Sequence, residues 1–198
     1  MSKSRQKPWL ERQRIPDPQV RDAAEQYDAA RRLLAAAPPG SGVLLPLMNA
    51  AIVALELYLK ALSSERVHQF WSFVPAFWTV HAAPKVRSHT LVNVFDAIPD
   101  EIRSMLDQQF TRQGLDADES LRQALERYEG LFAISRYPFE IGSDIRNYPL
   151  ERLLRLVDFL SAFVSELPST EEPPVVPGNS ASCLTSACSR RRGISKET

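Results

Sequence analysis

The chain has 198 residues, enough for one domain with tails. Its 24 Lys and Arg balance its 24 Asp and Glu, so net charge steers it to no polyanion or cationic partner, and any such site must be a local patch. Hydrophobic residues make up 44%, ample for a core, whereas the 2 Cys, Cys183 and Cys188, lie in a polar stretch with no nearby His and suggest neither a disulfide framework nor a metal site.

No apolar run reaches ~18 residues, so no membrane-spanning segment is expected. Residues 1–15 carry Lys3, Arg5, Lys7, Arg12 and Arg14 without a signal-peptide core. They read as a flexible basic arm, and the expected location is cytoplasmic. Asp17 is a good N-cap with Pro18 at the first helical position, which predicts a helix over 18–37 with Val20, Ala24, Tyr27, Ala30 or Arg31, and Leu34 inward. Pro38-Pro39-Gly40 ends it. A second helix is predicted from 41–45 to about Ser64, and residues 65–72 either continue it or form a separate turn. The segment 70–81 is rich in aromatics: Trp71, Phe73, Phe77 and Trp78 are too many large rings to leave in water, so they fold back on the core or form an interface.

Ser88 is read as the cap of a helix over 89–97, with Leu91, Val94, Phe95 and Ile98 inward. Another helix is predicted over 100–113 and stops at Gly114. Asp116 and Glu119 have capping-box spacing for a long helix to Arg136, striped by Leu121, Leu125, Tyr128, Phe132 and Ser135. Pro138 breaks the chain after Arg136 and Tyr137. Leu150, Leu153, Leu154, Val157, Leu160, Val164 and Leu167 mark a last amphipathic helix from 149 to 166. Residues 168–198 turn to Pro, Ser, Thr and Glu and read as a disordered tail. No strand is expected. The fold class is therefore all-α, an up-and-down bundle of five to six helices over residues 16–167 with disordered termini.

The second helix carries an unusual seam. Its apolar residues cover nearly the whole circumference, yet Asn49, Glu56 and Lys60 lie along one line within it. Glu56 and Lys60 are four apart with Glu first, the order that favours an ion pair. A charge on a buried helix must be paired, so the seam needs partners. Arg136, four residues beyond Phe132, extends an inner stripe and needs a carboxylate or a phosphate; Glu56 and Glu140 are the internal choices. His89 follows Arg87 by two residues. Singly, each has a plain structural reading: a helix ion pair, a helix-start residue, an acid partner inside the bundle. Jointly, Glu56, Lys60, Arg87, His89, Arg136 and Tyr137 form the candidate site.

The run Ala-x3-Ala-Leu-Glu-Leu-x-Leu-Lys-Ala-Leu from Ala50 to Leu62, His-Thr-Leu-x2-Val-Phe from His89 to Phe95, and Arg136-Tyr137-Pro138 together resemble HEPN domains. The resemblance spans roughly residues 18–167. It implies a helical, commonly dimeric fold associated with nucleotide or RNA handling, without a metal or other cofactor. Many members are metal-independent endoribonucleases with an Arg-x4–6-His signature. Here Ile141, Gly142 and Ser143 stand where that His would fall after Arg136. The departure matches the family's non-catalytic modules, which are often paired with nucleotidyltransferases; the resemblance itself implies a defence or toxin–antitoxin setting. The alternatives are an endoribonuclease using His89, Arg136 and Tyr137, and a helical protein–protein interaction module whose aromatic segment docks a partner. A homodimer that contacts RNA, nucleotide, a nucleotidyltransferase or an antitoxin is the expected assembly. Neither a phosphate-binding Gly loop nor a His-Glu-x-x-His metal motif is present.

Overall fold

Helices dominate the described residues (9–13, 16–70, 78–115, 119–139, 144 and 147–167) of the computed structural model. In chain order the elements are β1 (Trp9–Gln13), α1 (Pro18–Ala35), α2 (Leu44–Ser63), β2 (Ser64–Phe70), β3 (Trp78–Pro84), α3 (Leu91–Asp96), α4 (Asp100–Gln113), α5 (Leu121–Glu126), α6 (Leu131–Arg136) and α7 (Leu150–Glu166). The fold is helical in class, as expected.

The core is built around α2. Ala51, Ala54, Leu55, Leu59 and Ala61 have no exposed surface, and Met48, Ile52 and Tyr58 have almost none. The helix packs against α1, α3, α6 and α7. By length and composition alone it could cross a bilayer, but 61% of that apolar window is buried inside the fold. Its hydrophobicity is that of a helix surrounded by others. Asp17 caps α1 as predicted, accepting from the backbone N–H of Gln19 and Val20 at 2.9 and 3.1 Å. Gly114 ends α4 in the left-handed conformation, φ +59°. Helix α7 buries Leu153, Leu156, Val157, Leu160 and Val164 against α2.

Four expectations need correction. First, a three-stranded antiparallel sheet in the order β1-β2-β3 replaces the expected helix extension or turn after Ser64. Trp9 pairs with Phe70, Ser64 with Pro84, and Phe70 with Trp78. Part of the supposed flexible arm is thus strand β1. The sequence Ser64-Glu-Arg-Val-His-Gln-Phe70 has only Val67 and Phe70 as strand-forming apolar residues, and its β1 partner lies more than fifty positions away, so no local pattern announces it. Second, the helix expected over 89–97 starts at Leu91, and His89 lies in the extended lead-in.

Third, the long helix to Arg136 is two short ones. Gly130, at φ +79°, caps α6 and turns the chain between them. Helix α5 is opened by a capping box of Ser120 with Gln123. Fourth, Arg136 is exposed and does not lie inside the bundle. The Asp116 cap itself, Trp71, Phe73 and Phe77, and the expected tail 168–198 lie outside the described residues.

An ionic cluster missed in sequence fastens α1 to α7. Arg31 donates from Nε to Asp28 Oδ1 and from Nη2 to Asp158 Oδ1, both at 2.6 Å. Arg32 donates to Asp28 Oδ2 at 2.9 Å. That hydrogen bond and the charge of Asp28 raise the Arg32 pKa. Arg31 and Asp28 are buried, so the pairing offsets a desolvation cost that either would carry alone.

Candidate functional site

The polar seam of α2 gathers the site. Near its N-terminal end, Asn49 Nδ2 donates to Ser135 Oγ at 3.1 Å, and Ser135 Oγ donates to the Phe132 carbonyl at 3.2 Å. These bonds hold α6 against α2. Two turns along the same face, Glu56 Oε1 accepts from Lys60 Nζ at 2.6 Å and meets His89 Nδ1 at 2.9 Å. This second grip holds the segment leading into α3.

That segment is fixed locally as well. Ser88 Oγ accepts from the Thr90 backbone N–H at 3.0 Å, and Glu129 Oε1 accepts from the Val92 N–H at 3.0 Å. The Glu129 contact satisfies an N–H that the first turn of α3 leaves free.

Phe132 joins the two grips. The His89 ring stacks on it, with centroids 5.5 Å apart and planes within 8°. The Arg136 guanidinium carbon sits 4.1 Å from the centroid of the same ring. One turn of α6 separates Phe132 from Arg136, so the helix itself sets the second contact. His89 and Arg136 are thereby brought to one half-buried phenyl ring from different parts of the chain.

The electrostatics are asymmetric. The Glu56 side chain is 7% exposed and Lys60 18%, whereas His89 is 68% exposed. A carboxylate only accepts, so Nδ1 of a neutral His89 carries the hydrogen and Nε2, on the far side of the ring, keeps its lone pair. Among the described residues no carboxylate pairs with Arg136; neither Lys60 nor His89 shares Glu56 with it. Of the two acids open to Arg136, Glu56 instead meets Lys60 and His89 through Oε1, as its expected pairing with Lys60 allowed.

Tyr137, the residue after Arg136, is 49% exposed and packs edge-to-face on Phe139, which is 80% exposed. Arg87 is exposed in the lead-in, and no hydrogen bond or ion pair joins it to the cluster among the described residues. Glu140 lies outside those residues. The sequence reading missed Phe132, because a Phe on an apolar stripe looks like core. The available signal was its spacing, four residues before an Arg, the separation at which a helix brings a cation over a ring. Among the described residues no three His, Cys, Asp or Glu side chains converge as a metal site would require.

The arrangement sets one cationic donor, the Arg136 guanidinium, and one ring lone pair, His89 Nε2, against the same phenyl ring. It can hold an anion with a flat group attached, and its imidazole can exchange a proton. No family model matches the chain, and no match is found among curated proteins or solved structures.

Proposed function

We propose that the chain is a HEPN-like nucleotide- or RNA-associated module, which binds a phosphate-bearing ligand at His89, Phe132 and Arg136 and does so without cutting it. The observation that carries this reading is Arg136: a guanidinium held over Phe132 and paired with no carboxylate among the described residues. No described residue takes its donors, which suit a phosphate in fork geometry. The lack of His at 141–143 supports binding over cleavage. A homodimer in the cytoplasm, acting beside a nucleotidyltransferase or antitoxin in a defence or toxin–antitoxin locus, is the setting that the family resemblance supports.

A second reading, a metal-independent endoribonuclease, is favoured by one contact. Glu56 on His89 Nδ1 holds the ring in the tautomer a general base needs, with Arg136 close by to balance developing charge. The experiment is incubation of the full chain with end-labelled single-stranded RNA and a metal chelator, read both as binding and as cleavage. Binding with the RNA intact supports the first reading. Cleavage that is lost in His89→Ala supports the second. A chain that binds neither RNA nor nucleotide contradicts both.

A further inference from the structure

We propose that Tyr137 and Phe139 form a stacking subsite for an unpaired nucleobase, beside the phosphate contact of Arg136; this rests on the reading of Arg136 as a phosphate ligand. Phe139 is 80% exposed and Tyr137 49%, whereas Ile52, Leu55 and Tyr58 of α2 and Phe159 and Leu160 of α7 are buried. An aromatic ring left in water costs free energy that a flat partner recovers.

The two rings are not loose. Their centroids lie 6.2 Å apart at 89°, the edge-to-face arrangement that aromatic quadrupoles favour. Pro138 between them fixes its own φ, and the Tyr137 N–H donates to the Ala133 carbonyl at 2.9 Å, tying the turn to the end of α6. Perpendicular rings cannot sandwich a base, so a base would stack on one ring, and Phe139 is the more exposed of the two. Three residues of chain reach at most about 10 Å, which keeps Phe139 close to Arg136.

Charge decides the occupant. An isolated exposed aromatic side chain suits a protein partner, but this pair follows an exposed guanidinium that pairs with no acid among the described residues, and the His89 ring stacks on the same phenyl ring. Cation and ring in succession match the alternating phosphate and base of a single strand. Bases in a duplex are stacked on one another and cannot use the subsite. Every base has a π-face, so the subsite is tolerant of sequence.

The test is fluorescence anisotropy of the full chain with four labelled probes: a mixed-sequence RNA strand, the matching DNA strand, a strand of the same length with abasic positions, and a duplex. Phe139→Ala should weaken binding of both base-bearing strands by about 5- to 100-fold, the range that stacking of one base supplies. It should leave the weaker abasic binding unchanged, and Phe139→Trp should restore the loss. Arg136→Ala should weaken base-bearing and abasic strands alike. Equal binding of the strands by wild type and Phe139→Ala overturns the stacking subsite while leaving the phosphate reading intact. Wild-type protein that binds no strand overturns both. Loss of self-association in Phe139→Ala, with strand binding unchanged, makes the pair a contact between copies and also overturns the inference. Phe139 is so exposed that its variants should melt as wild type does.

Discussion

Nδ1 of His89 lies 2.9 Å from Oε1 of Glu56, joining an exposed ring to a carboxylate buried in the central helix. The same oxygen receives Lys60 Nζ at 2.6 Å. Glu56 is thus the residue that makes one unit of the α2 seam and the surface site.

Replacing Glu56 by Ala should therefore reduce stability and displace His89 together. The buried carboxylate is lost and Lys60, only 18% exposed, is left unpaired. The cost should be about 2 kcal/mol or more, moderated by the exposure of His89. For a domain of this size that is a fall in Tm of roughly 4–8 °C. An unchanged melting curve would show that the seam carries no energy.

The α1–α7 cluster should be more sensitive. Arg31→Ala removes the donor to both Asp28 and Asp158 and leaves a carboxylate that is 5% exposed with Arg32 alone. A loss of ~3 kcal/mol is expected. Chemical denaturation of Arg31→Ala and Arg31→Lys measures it. Full retention of stability in Lys would show that the two-acid bridge needs no guanidinium.

The helical class, the α1 cap, the α4 stop and the α7 stripe were legible in the sequence because each is a local pattern: a cap residue, a left-handed glycine, an apolar period. The seam on α2 was legible for the same reason. Strands β1 and β2 were not, since their pairing joins residues 9–13 to 66–70 and the intervening chain gives no clue to it. The break between α5 and α6 was missed because Gly130 sits inside a continuous apolar stripe. Arg136 continued that stripe by spacing, yet α6 ends there and the side chain turns outward over Phe132. His89 and Arg136 meet on one ring only in three dimensions; neither residue's neighbours encode the other's position.

Gly130→Ala tests that break. Among the described residues only the Tyr148 hydroxyl lies near the added methyl, at 3.9 Å, so space is not the obstacle there. The cost is the left-handed backbone, ~1–2 kcal/mol. Calorimetry should show this loss, and a neutral or stabilising effect would mean that the turn is remodelled at no cost.

Tyr58 gives a pH signature. Burial raises its phenol pKa, against the opposing effect of its hydrogen bond to Ser161 Oγ at 3.1 Å. The folded chain then holds the proton to higher pH than the unfolded chain does. Its contribution is complete below pH ~10, where the unfolded phenol begins to ionise, and is lost as pH rises through the folded value. The difference in Tm between wild type and Tyr58→Phe should be constant through neutral pH and shift against wild type above about pH 10. A flat difference across that range would contradict the assignment.

Arg136 as a phosphate contact is tested most directly by the salt dependence of single-stranded RNA binding, measured for wild type and Arg136→Ala with equal Tm. The variant should bind ~1–3 kcal/mol more weakly, and its plot of log affinity against log salt should be shallower by about one ion. Identical affinity and identical slope in the two proteins would contradict the claim.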